Sequence, residues 1–151
     1  MKTLLSLTLV VFLSLALADD KADPKKSDKE RLQGTWVVAA LETDGKEVKG
    51  EAFEAFKKGK VTFKGDSFTH SMAPDRVVTF TLDPDNKPSA LDLEVTDPAK
   101  AVFRYLYEFV DDDTIRLCSS GKDGAARPKE FTSKDGQVIV TYKREGKRPK
   151  Q

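Results

Sequence analysis

Few side chains in this sequence are of a type that does chemistry, and their spacing narrows the options quickly. The one histidine, His70, stands in Phe68-Thr69-His70-Ser71-Met72. At strand spacing Phe68, His70 and Met72 share a face. An imidazole there reads either as a contact for a ligand head group or a general base, or as a buried ring bonded to a neighbouring tyrosine or carbonyl. A lone histidine builds no multi-histidine metal site, and paired cysteines, His-Glu-x-x-His, Gly-x-Ser-x-Gly, a phosphate loop and a dinucleotide fingerprint are all absent from the sequence. Asp111-Asp112-Asp113 puts three carboxylates side by side, whereas calcium loops space theirs at alternate positions, so a solvated turn is the better reading. Asp83, Asp85 and Asn86 alternate better, but Pro84 and Pro88 make that segment a rigid turn. No nucleophile, base and oxyanion donor can be assembled, so the expectation is a protein that is not an enzyme and takes no cofactor and no metal.

What remains is aromatic. Phe103, Tyr105, Tyr107 and Phe109 recur at every second position, and the only tryptophan, Trp36, follows Gly34 by two residues. Such a ladder stacks bases or sugars if exposed and fills a core if buried. The elements around it must decide.

Those elements read as strands over 34–42, 60–64, 67–72, 76–83, 89–95, 102–110, 114–118, 127–132 and 137–144, each short and rich in Val, Phe, Thr, Tyr and Leu. Turn residues such as Asp44-Gly45, Gly65-Asp66 and Asp135-Gly136 separate them. A meander of that length avoids free edges most simply by closing on itself. The expected fold is all-β, an antiparallel up-and-down barrel of about eight strands. One segment departs from the pattern: Gly50-Glu-Ala-Phe-Glu-Ala-Phe-Lys-Lys-Gly59 has Ala52, Phe53 and Phe56 at helical spacing, which predicts a short helix between strands one and two. It would lie either across an open end, with Phe53 and Phe56 as a lid, or against the outer wall.

Alternation assigns an inner face to Trp36, Val38 and Ala40, to Phe63, to Phe68, His70 and Met72, to Phe80, and to the 103–109 ladder, with Leu106 outside. Trp36, Phe63, Phe68, His70, Met72, Phe80, Tyr105 and Tyr107 would therefore line any ligand site. Trp36 at the head of the first strand is large enough to close a narrow barrel end, Gly34 leaves room for chain crossing beneath it, and Arg144 late in the last strand is the candidate to stack on it.

Composition supplies the frame. The chain has 151 residues with 26 basic and 25 acidic side chains, a balance that gives no field for nucleic acid, an anionic membrane or an acidic substrate. Residues 1–18 combine Lys2, an apolar run from Leu4 to Leu17, and Ala16-Leu17-Ala18 before Asp19, which is the pattern of a secretory signal peptide too short to span a bilayer. Residues 19–31 read as a charged linker, 32–145 as the barrel domain and 146–151 as a basic tail. The expected product is a secreted or periplasmic monomer without a membrane span. Cys118, alone, can form no internal disulfide, so packing must supply stability.

Gly34-Thr35-Trp36 with a late arginine resembles the lipocalin signature. More widely, "LQGTWVVAALETDGKEV", "KVTFKGDSFT", "FTLDPDNKPSALDL", "YEFVDDDTIRLC", "RPKEF" and "GQVIVTYKRE" resemble, in order and spacing, a lipocalin-like family of small secreted bacterial proteins abundant in planctomycetes, over about residues 31–145. The resemblance implies the barrel and brings no biochemical activity with it. Tyr105-Leu106 stands where such proteins carry a small residue, which would narrow a cavity.

Two functions fit these observations. One is a carrier of a small apolar ligand inside the barrel. The other is a solid barrel that binds an envelope protein partner through its loops, of which 119–127, "SSGKDGAAR", is the natural contact surface.

Overall fold

The computed structural model describes residues 26–146; the signal-peptide reading, most of the linker and most of the basic tail fall outside them. The element order is α1 (Asp28–Leu32), β1 (Gly34–Thr43), β2 (Lys46–Glu47), α2 (Glu51–Lys57), β3 (Lys60–Lys64), β4 (Ser67–His70), β5 (Ala73–Asp83), β6 (Ala90–Asp97), β7 (Ala101–Asp111), β8 (Thr114–Ser119) and β9 (Val138–Arg144). From β3 on, every strand pairs antiparallel with the next, and β1 pairs antiparallel with both β3 and β9, so eight strands close into a barrel with the two-residue β2 as a hairpin flap on β1. The lower end carries the start of β1, the 64–67 and 111–114 turns, the 83–90 loop and the end of β9. The upper end carries the β1–β2 hairpin, α2, the turns at 70–73 and 97–101, and a long strap, residues 120–137, between β8 and β9.

The alternation reading holds along most strands. Trp36, Val38, Val61, Phe63, Phe68, Val78, Phe80, Leu91, Leu93, Tyr107, Ile115, Leu117 and Tyr142 form one buried cluster. Phe63 is wedged edge-on between Phe68 and Phe80, with ring centroids 5.2 and 5.0 Å away. This geometry fills the lower interior with side chains.

Five expectations are corrected. Segment 127–132 is part of the strap and not a strand, because no neighbouring edge is left for it once β8 pairs directly with β9. A bulge between Val38 and Ala40 resets the alternation in β1, so that Leu41, paired with Val140, is buried in the place expected for Ala40. The fourth strand ends at His70, which leaves Met72 in a turn and 67 % exposed, outside the barrel. The linker does not run to residue 31: Ser27 caps α1, its hydroxyl accepting from the Glu30 N–H while the Glu30 carboxylate accepts from the Ser27 N–H. Finally, α2 forms, with Glu51 and Glu54 in its first turn and Lys57 in its last as the helix dipole favours, but Phe56 is 43 % exposed and only Phe53 packs on the core.

Leu106 does face outward, as alternation requires, yet it is fully buried. With Cys118 and Ile139, its neighbours across β8 and β9, it forms a second small core on the outer wall, covered by Phe131 of the strap. The strap also supplies partners for the upper part of β7, which runs past the end of β8. Val102 N–H donates to Asp123, Gly124 N–H donates to the Val102 carbonyl, and Arg127 donates to the Tyr105 carbonyl at 2.8 Å while pairing with Asp92. A free edge is thereby satisfied without a strand.

Candidate functional site

The base of the barrel is closed by one interlocked group. Trp36 is wholly buried and its indole N–H donates to the Leu32 carbonyl at 2.8 Å, which ties the end of α1 to β1. Arg144, the cross-strand neighbour of Trp36, lies over its ring with the guanidinium carbon 4.1 Å from the centroid. The same guanidinium donates to the Gln33 and Arg31 carbonyls, both at 2.6 Å, and to the Asp113 carboxylate at 2.9 Å. Gly34 explains itself here. Its φ of +117° suits only glycine, and an added Cβ would stand 3.0 Å from an Arg144 nitrogen. Gly34, Trp36 and Arg144 thus meet as barrel closure.

Tyr107 belongs to this base as well. Its hydroxyl donates to Asp28 at 2.7 Å, and Asp28 also accepts from Arg31, whose guanidinium sits 3.9 Å above the Phe109 ring. Burial, and after it the bond to Asp28, pushes the Tyr107 phenol well above its ordinary value, so it stays protonated as a donor. Two clefts of about 380 and 440 Å³ flank α1 and share Asp28 and Pro84. Several of their polar groups hold the helix: Asp28 is bonded to Tyr107 and Arg31, and Lys29 is paired with Asp66. A third, also about 440 Å³, lies against the strap around Arg127 and Glu130.

Of the expected ligand-lining residues, Trp36, Phe63, Phe68, Phe80 and Tyr107 come together as the packed lower core, and Tyr105 sits above them on the same inward row. His70 is at the upper rim. Its Nδ1 accepts from the Met72 N–H at 3.2 Å, and its Cε1 edge lies 3.2 Å from where a Gly59 Cβ would be, beside the end of α2. Burial, and next the charge of Arg76, holds its pKa below the ordinary value, which keeps the ring neutral.

Partly buried inward residues occur toward both ends of the barrel: Ala101, Phe103 and Tyr105 on β7 and Val140 on β9, and, nearer the base, Leu82 on β5 and Phe109 on β7. At the upper end α2 packs on β1, buries none of its own residues and has no side-chain cap at its Gly50 start. Tyr142, absent from the expected set although it shares alternate spacing with Val140 and Arg144, is buried in the same core between Val38 and Ile115, two residues from Arg144.

Among the described residues no three His, Cys, Asp or Glu side chains gather as a metal site, and no helix is long and apolar enough to cross a membrane. Comparison with known protein families, with curated proteins and with solved structures finds no match to this chain.

Proposed function

We propose that this protein carries a small apolar molecule in the upper half of its barrel, beneath α2. One observation carries the reading. The inward row of β7 is tightly buried at Tyr107 and only partly buried and aromatic at Phe103 and Tyr105, toward the end of the barrel that carries α2, a helix that reaches the core only through Phe53. Apolar surface left facing into a barrel and roofed by a lightly held element is the arrangement that takes up an apolar ligand. The leader pattern of residues 1–18 supports an exported carrier that works outside the cytoplasm.

The filled lower half supports a second reading, a solid scaffold that meets an envelope protein through exposed apolar side chains such as Phe56, Met72 and Val77. Native mass spectrometry of the protein purified from its own host separates the two. The carrier shows a co-purifying small mass and a saturable transfer of Trp36 emission to diphenylhexatriene. Bare protein whose emission no apolar probe alters sinks the carrier and leaves the scaffold.

A further inference from the structure

Three consecutive residues of the strap fasten it both to the outer wall and to the β1–β2 hairpin. On the wall, Phe131 packs against Leu106, Cys118 and Ile139, and the Arg116 guanidinium carbon stands 5.2 Å from the centre of its ring. The Cys118 thiol donates to the Thr132 carbonyl at 3.2 Å. Ser133, next in the chain, is 4 % exposed and holds the hairpin tip. The Gly45 N–H donates to both the Ser133 hydroxyl, at 3.1 Å, and the Ser133 carbonyl, at 3.3 Å, which joins residues 88 positions apart. A Cβ on Gly45 would stand 3.6 Å from the Lys134 side chain, so the strap lies directly against the turn.

That turn leads into α2. Asp44 and Gly45 have φ of +51° and +73°, the geometry of a tight two-residue hairpin. Beyond it Lys46 pairs with Thr43 and Glu47 with Glu42, the Val48 N–H donates to the Leu41 carbonyl at 2.8 Å, and the helix begins at Glu51. A strand of two residues holds little by itself. One end of β2 is pinned by the turn, and the turn is pinned by Ser133. The helix that follows packs on β1, reaches the core through Phe53 and has no side-chain cap at Gly50.

We propose that the strap is a clasp on the α2 end of the barrel: Phe131, Thr132 and Ser133 hold the hairpin tip, and lifting them from the outer wall loosens β2 and α2 together. Ser133 is two residues from Phe131, so the bonds to Gly45 and the cover over Leu106, Cys118 and Ile139 are made and broken as one. A seated and a lifted strap are then two states that the wall and the hairpin both bias, which is what coupling between distant places requires. The clasp acts with or without a ligand in the barrel; on the carrier reading it sets how readily one passes α2.

Amide hydrogen exchange followed by mass spectrometry on the purified protein tests the clasp, because exchange reads local opening segment by segment. Phe131→Ala unseats the strap on the wall, far along the chain from α2. It is expected to speed exchange over residues 44–57 about tenfold and to leave 34–37 and 61–63, at the base, within about twofold. Ser133→Ala removes one arm of the bond to Gly45 without touching the apolar cover, and is expected to speed the same 44–57 segment about threefold. Should Phe131→Ala fail to fold, Ser133→Ala carries the test alone. Exchange over 44–57 that stays at the unsubstituted rate, whatever the strap itself does, overturns the proposal. So does equal acceleration of every segment, which is the mark of global loosening and not of a clasp.

Discussion

Replacing Arg144 by methionine tests the closure of the base most directly. The guanidinium is nearly inaccessible, with 3 % of its side chain exposed, and it does three things at once. It stacks 4.1 Å from the Trp36 centroid, donates at 2.6 Å to the Gln33 carbonyl, and donates at 2.6 Å to the Arg31 carbonyl at the end of α1. A desolvated cation–π contact contributes about 2 kcal/mol, and a hydrogen bond from a charged donor about 1.5–3 kcal/mol. Methionine refills part of the volume, and water reaches some of the freed carbonyls. The expected cost of Arg144→Met is therefore about 3–5 kcal/mol, in the range for breaking a buried charged contact. With a urea slope of about 1.5 kcal/mol per molar, the unfolding midpoint falls by about 2–3 M. The partner carboxylate provides the control: the Asp113 side chain is 66 % exposed, so Asp113→Asn should cost less than about 1 kcal/mol. Arg144→Met costing under about 1 kcal/mol, or a double-mutant cycle with Trp36→Phe that shows simple additivity, would refute the account of the base as one coupled unit.

Two other perturbations probe the rim and the outer wall. The His70 pKa lies below its unfolded value of about 6.5 because burial, and then Arg76, disfavour the charged ring. The unfolded chain therefore takes up a proton first as pH falls, and the stability that neutral His70 contributes is present above pH ~6.5 and is lost as pH drops through the folded value. Urea midpoints should decline between about pH 7 and 5, and His70→Asn should flatten that decline; an unchanged slope removes His70 as its source. Phe131→Ala strips the strap of the apolar contact that covers Leu106, Cys118 and Ile139. Losing a half-buried phenylalanine lowers the local opening cost by about 2 kcal/mol, so labelling of the buried Cys118 by a thiol reagent should accelerate at least about tenfold. Equal labelling rates would show that the strap does not gate the thiol.

Much of this architecture was legible because barrel strands obey a period of two. The 103–109 ladder, the inward Phe63, Phe68 and Phe80, and the Trp36–Arg144 pair all follow from alternation and spacing. The misreadings fall where alternation is interrupted. The bulge that exchanges Ala40 for Leu41 leaves no mark in residue type, and Met72 is apolar enough to pass for a strand residue while sitting in a turn. Segment 127–132 reads as a strand because Phe131 is apolar, but its role is to cover a patch on the barrel's outer face. The buried state of Leu106 needed knowledge of that cover, which no local pattern carries. By contrast α1 was within reach: Ser27-Asp28-Lys29-Glu30 is a capping box before a leucine, masked by the charge density around it.

The two ends of the barrel are held differently. At the base, the last carbonyls of the N-terminal segment are bonded by two of the least exposed side chains in the protein, Trp36 and Arg144, while Tyr107 and Arg31 fix Asp28. Opening that end means breaking several desolvated bonds together. At the mouth, a seven-residue helix touches the core through one phenylalanine and is flanked by Gly50, at φ +72°, and Gly59. Displacing α2 gives up few core contacts. On the carrier reading, a ligand would enter past α2, where the hold on the chain is weaker. Toward the base the edge-on rings of Phe63, Phe68 and Phe80 fill the interior, so on that reading the packing that stabilises the base would also limit how deep a ligand reaches.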